Sequence, residues 1–213
     1  MDGTAIAMVR DYADLGLPDD AGALLMIEVD GPLAGIEAST AQVSAAARVA
    51  GCLHIDVADT ADAVERLWQT RKALSPALRN VAPKKINEDV VVPVSRIPDL
   101  VGGLERLSGE FGVKIVNFGH AGNGNIHVNL LVDPDDPEQM AAVDPCLDAV
   151  FDLVLSLDGS LSGEHGIGWV KRQFVDRELD RASLRLMAAI KRQFDPDNIL
   201  NPGVGLPDAG IDG

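Results

Sequence analysis

Two apolar runs, Val113 to Phe118 and Ile126 to Val132, are separated only by a stretch rich in glycine and asparagine. A connection of that kind turns the chain back on itself, so the runs read as neighbouring antiparallel strands. No strand leads through a nucleotide-binding glycine fingerprint into a helix, which argues against a parallel dinucleotide-binding sheet.

The remaining apolar runs sort around this hairpin. Ala23 to Val29 ends at the turn signal Asp30-Gly31-Pro32 and reads as a buried strand. Leu53 to Val57 reads as a second strand. The β-branched run Asp89 to Val94 reads as a third, with Pro93 marking an edge or an end. Glu37 to Ala50 reads as a helix. Thr60 is placed to cap the next one, where Val64, Leu67, Trp68, Arg71, Leu74 and Leu78 recur at helical spacing. Ile97, Leu100, Val101, Leu104 and Leu107 predict a helix from Ser95, bracketed at its end by Gly109 and Gly112. Asp136-Pro137 opens a helix that Gly159 ends, and a last one runs from Asp180 to Phe194, stopped by Pro196. The expected fold is α+β, an antiparallel sheet flanked by helices, and the order allows two ferredoxin-like halves to share that sheet.

Composition narrows the partners. The chain is 46% hydrophobic but only 4% aromatic, so its core must come from Val, Leu, Ile and Ala. A net charge of −15 argues against nucleic acid and disfavours an anionic membrane surface. No apolar run approaches the ~20 residues that span a bilayer, and Met1-Asp2-Gly3-Thr4 opens no signal peptide. Cys52 and Cys146 read as reduced thiols, and the expected compartment is the cytoplasm.

Chemistry concentrates in three segments: Asn117 to Asn129, Ser162 to Gly168, and Asp195 to Gly203. Along a strand from Ile126, His127 and Asn129 share one face and Ile126, Val128 and Leu130 the other. That leaves a polar face where a core strand would be apolar. His120 ends the preceding strand and can approach His127 across the turn. Two imidazoles on a rigid hairpin suit a metal, and Glu164 would complete a set that leaves coordination positions open. His165, beside Glu164 and between glycines, can take a proton near neutral pH. His54 lies in a predicted strand and reads as structural.

These segments resemble the C-terminal domain of FAD-linked oxidases related to vanillyl-alcohol oxidase, in the D-lactate, glycolate and D-2-hydroxyglutarate dehydrogenase branch. The resemblance runs from about Leu24 to Gly203 and rests above all on HAGNGNIHVN followed by SGEHGIG. It implies a cap and substrate domain over residues 1–203, a flexible tail over 204–213, and a separate N-terminal FAD-binding domain or subunit as partner. It implies His120, His127 and Glu164 as ligands of a divalent metal, with Zn, Mn and Fe all open, and His165 as general base. Arg71, Lys85, Ser75 and Asn129 fall where the substrate is held, and Asn201 where the chain returns toward the flavin. The implied activity oxidises a D-2-hydroxy acid to a 2-oxo acid with hydride transfer to FAD. The isolated chain is expected to be inactive, and self-association through exposed apolar surface is plausible. The alternative is a non-catalytic metal- or small-acid-binding module. A zinc hydrolase is disfavoured because the HExxH helix is missing.

Overall fold

The computed structural model describes residues 1–12 and 16–206. The chain divides into two compact units, residues 1–82 and 83–213.

The first unit is helical. Asp2 accepts from the Ala5 N–H at 2.8 Å and so caps α1 (Gly3–Tyr12), an element the apolar spacing had not brought out. α1 buries Ile6 and Val9 among Leu74, Ala77 and Leu78 of α3 (Ala61–Val81). Thr60 caps α3 as expected, accepting from Ala63 at 3.3 Å. Between them, α2 (Leu33–Ala47) starts earlier than Glu37 and buries none of its residues. Its composition of small residues gives it no apolar stripe to bury.

The two strands expected in this unit are not formed. Ala23 makes only an isolated bridge to Asp2, and the rest of Ala23–Val29 has no strand pairing, with Leu25 and Ile27 more than half exposed. Leu53–Val57 is likewise unpaired and exposed, so His54 sits on an exposed loop and not in a strand. Apolar content alone does not make a strand; its N–H and C=O groups need a ladder partner. Among the described residues neither run has one, so the picture of two ferredoxin-like halves does not hold.

The second unit carries the sheet. Its strands are β1 (Lys84–Val91), β2 (Lys114–His120) and β3 (Asn125–Val132), all antiparallel in the order β1-β3-β2. β1 begins five residues before the expected Asp89 and ends before Pro93, which cannot donate to a ladder. α4 (Ile97–Phe111) is preceded by a 3-10 turn at Val94–Arg96 and ends at Gly112 in the left-handed region, φ 65°. α5 (Pro137–Ser156) is capped by Asp136, which accepts from Glu138 and Gln139. A 3-10 turn at Arg172–Phe174 leads into the short α6 (Val175–Glu178), both beyond what periodicity predicts. α7 (Arg181–Phe194) closes the order, capped by Asp180. The α+β expectation of an antiparallel sheet flanked by helices therefore holds. Of the 204–213 segment, residues 207–213 lie outside the described residues.

One face of the sheet is apolar. Val90, Ile115, Ile126, Val128 and Leu130 pack with Leu100 and Leu104 of α4 and with Val143, Leu147, Val150 and Phe151 of α5. The close approach of α4 to α5 depends on Gly103, where a Cβ would sit 2.9 Å from Leu153 Cδ1. Gly119 plays the same part inside the hairpin, since a Cβ there would lie 2.8 Å from Ile126 Cα on the paired strand.

Cys146, on α5, is fully buried in this core. Burial, with the Glu110 carboxylate adding to it, pushes its thiol up to about 11. The unfolded thiol titrates near ~8.5, so between these limits the folded chain binds more protons than the unfolded one. Stability from this group is complete below the lower limit and is lost as pH rises through the upper. Chemical denaturation as a function of pH should show wild type losing up to about 1.4 kcal/mol per pH unit more than Cys146→Ala across that window.

Candidate metal and proton-transfer site

The face of the sheet opposite the helices carries most of the strands' polar groups, while Glu88 and Asn117 lie in register with Val128 on the other face, and strand register brings the former together. On β3, Asn125, His127 and Asn129 alternate with the apolar residues. His120 pairs with Asn125, and Phe118 with His127, so the two histidines are diagonal neighbours across the hairpin. Their ring centroids are 5.6 Å apart. The turn between them is a 3-10 turn at Ala121–Asn123, closed by Gly124 in the left-handed region at φ 79°.

Glu164 arrives from the loop after α5. Its Oε1 is 3.2 Å from His127 Nε2. One donor atom from each of His120, His127 and Glu164 lies within 4.8 Å of the others. His127 Nδ1 is buried and finds no hydrogen-bond partner. Burial pushes the His127 imidazole below its ordinary value, and the Glu164 carboxylate opposes that shift. The net effect favours a neutral ring, the form that ligates a metal. One nitrogen from each of two imidazoles and one carboxylate oxygen form a donor set that fits a divalent ion. His165 stacks on His127, centroids 5.5 Å apart and planes 23° from parallel.

The loop that delivers Glu164 and His165 is held by a residue that motif reasoning passed over. Asp89 of β1 pairs with His127 in the sheet and is fully buried. Its Oδ2 accepts from the N–H groups of Gly163, Glu164 and His165 at 2.8, 2.5 and 2.9 Å, and its Oδ1 from Ser162 Oγ at 3.2 Å. Lys171 Nζ, also buried, donates to Asp89 Oδ1 and to the Asp89 carbonyl, and lies 3.6 Å from the buried Glu88 carboxylate. Burial alone would raise the Asp89 carboxyl, but Lys171 and the loop N–H groups outweigh it and hold the carboxyl far below the usual carboxylate range. At Glu88 burial prevails over Lys171 and the carboxyl is pushed up. The one visible signal for Asp89 was an acid opening a β-branched run; Lys171 gave none.

The other expected residues are distributed unevenly. Asn129 is buried with both amide N–H groups committed, to the carbonyls of Val116 and His127, while its Oδ1 accepts from Asn87 at 2.7 Å. Asn87 thus shares this face and was also missed. Lys85 is on the same face but exposed, opposite Leu131 and about 13 Å of strand from Asp89. Arg71 is half-buried on α3 of the first unit. Ser75 is on α3 too, but its side chain lies outside the described residues. Asn201 is exposed at φ 46°, in a return segment tied back by Arg172 to the Gly203 carbonyl and by Gly205 to the Gly168 carbonyl. A cavity of about 370 Å³ beside the loop is lined by Ser162, Glu164, Glu178 and Met187.

The family of FAD linked oxidases, C-terminal domain, matches residues 1–204, and the chain belongs to it. It is 32% identical over 203 residues to glycolate oxidase subunit GlcD of Bacillus subtilis (strain 168), covering 95% of this chain and 43% of that protein. It is 33% identical over 186 residues to D-lactate dehydrogenase of Anaerostipes hadrus, covering 86% and 39%. It is 34% identical over 152 residues to the mitochondrial D-2-hydroxyglutarate dehydrogenase of Danio rerio, covering 71% and 28%. The chain spans less than half the length of these curated relatives. No helix among the described residues is long and apolar enough to cross a membrane.

Gly163 has no room for a side chain. A Cβ there would lie 2.7 Å from both Asn125 Cγ and Val91 Cγ2. Gly163→Ala should push the loop off the sheet, lengthen its bonds to Asp89, and cost about 1–3 kcal/mol in a denaturant titration.

Proposed function

We propose that this chain is the substrate-side domain of a flavin-dependent dehydrogenase that oxidises a D-2-hydroxy acid to the 2-oxo acid. The observation that carries the reading is the convergence of His120, His127 and Glu164 within 4.8 Å, with His165 stacked on His127. Family membership and the printed names of the relatives support the substrate class.

In this reading His120, His127 and Glu164 hold a divalent ion, Zn, Mn or Fe. Bound there, the ion supplies Lewis acidity that lowers the pKa of the substrate hydroxyl. His165 takes the hydroxyl proton at an imidazole nitrogen. FAD supplies the acceptor for the Cα hydrogen, which leaves as hydride. Arg71 and Lys85 are assigned to the substrate carboxylate, and Ser75 to an assisting hydroxyl, on the sequence resemblance. Asn129 contributes through Asn87, whose amide it orients. Asn201, in an exposed turn at φ 46°, is assigned to the flavin side on the sequence resemblance, with a separate FAD-binding domain or subunit as the partner. On this account the 213 residues alone turn over no hydroxy acid. Free Cys52, exposed, and Cys146 suit a reducing compartment, the cytoplasm. Exposed Leu186, Ile190 and Phe194 on α7 make self-association of the isolated chain part of the proposal.

Metal analysis by mass spectrometry of the purified chain should find about one divalent ion per chain, and His127→Ala should lose it. Absence of metal from both proteins overturns the ligand assignment. Reconstituted with a flavin-holding partner, His165→Ala should retain metal but lose most substrate-driven bleaching of the flavin, about 100-fold or more. Bleaching at the wild-type rate removes His165 as the proton acceptor. Metal binding with no flavin reduction in wild type would leave the non-catalytic binding module.

A further inference from the structure

We propose that Asp89 is the positioning residue of this site, its buried carboxylate setting the direction of Glu164 and the ring orientation of His165 together. The inference rests on the reading above for what Glu164 and His165 do, but its geometry is independent of that reading. Residues 162–165 have no helix or strand of their own to fix them. Three successive N–H groups, from Gly163, Glu164 and His165, converge on Asp89 Oδ2. Such a nest binds an anion because the amide dipoles point at one centre. Here the anion is a side chain of the strand that pairs with His127. The loop is therefore referenced directly to the hairpin that carries both imidazoles.

The other oxygen acts on the ring. Asp89 Oδ1 lies 3.4 Å from His165 Nδ1 and is itself held by Lys171. A carboxylate facing Nδ1 favours the tautomer protonated at Nδ1, which leaves Nε2 with its lone pair available. A purely structural cap would need only the three backbone bonds. The nearness of Oδ1 to Nδ1 gives Asp89 a second role that spectroscopy can separate from the first. Lys171 keeps the carboxylate in place from the far side, 3.6 Å from Glu88, so the buried cluster carries two acids and one cation.

The test uses the metal-free chain labelled with 15N-histidine, at a pH where the imidazoles are neutral, followed by titration with Co2+. In wild type His165 should carry its proton on Nδ1. In Asp89→Asn that preference should disappear and Co2+ affinity should fall about 10- to 100-fold, as when a group that orients a metal ligand is removed. Because Asp89→Asn strands the Lys171 charge, the Asp89→Asn/Lys171→Met double variant is measured beside it, with the same two outcomes expected. A wild-type His165 protonated on Nε2 overturns the assignment however the variants fold. So does a folded variant with unchanged tautomer and unchanged Co2+ affinity. If wild type binds no Co2+, the metal reading fails, and the tautomer alone decides the role of Asp89.

Discussion

An ionised carboxylate with no exposed surface survives only where hydrogen bonds and an opposite charge replace the water it has lost. Asp89 meets that condition with three loop amides, the Ser162 hydroxyl and the Lys171 ammonium. The dependence runs both ways. The amides of Gly163 to His165 need an acceptor as much as the carboxylate needs donors, so strand and loop stabilise each other. Without the loop, Asp89 would be an uncompensated charge in the sheet. Without Asp89, the Gly163 to His165 amides would lose their acceptor, and the loop would be tied at its start by the Ser160–Val91 bridge and the Leu161 N–H to Glu178.

The rest of the site follows from strand register. Side chains alternate along β3, so the same strand supplies Val128 and Leu130 to the core and His127 and Asn129 to the opposite face. Antiparallel pairing then places His120 diagonally beside His127. A slip of one residue would send His127 into the core and expose Val128. The apolar core under α4 and α5 therefore enforces the polar geometry on the other face, and the steric demand at Gly119 keeps the hairpin tight where the two imidazoles meet.

Local periodicity was enough to read the hairpin and the long helices of the second unit and α3 of the first, but not the pairing of the first unit's apolar runs. The hairpin, α4, α5 and α7 each combine an apolar repeat with a cap or a turn residue, so both kinds of signal agree. His120, His127, Glu164 and His165 were legible because glycines and alternation isolate them from a core explanation. Ala23–Val29 and Leu53–Val57 have strand-like composition, but whether a strand forms depends on a partner elsewhere in the chain, which local composition does not contain. Asp89 and Lys171 were opaque for a related reason. An acid in β1 and a lysine 82 residues away acquire meaning only once the loop is folded between them.

The arrangement divides the work by rigidity. The hairpin supplies imidazole nitrogens fixed by backbone pairing, and burial lowers the His127 pKa against the pull of the Glu164 carboxylate beside it. The loop supplies that carboxylate, and next to it the imidazole assigned to the proton. Glu164 and His165, the proposed ligand and the proposed base, are consecutive residues on one short segment, anchored at one acceptor. Any displacement of that anchor moves both side chains together. Placing the anchor on β1, in register with His127, is the shortest physical route by which a sheet can control both at once.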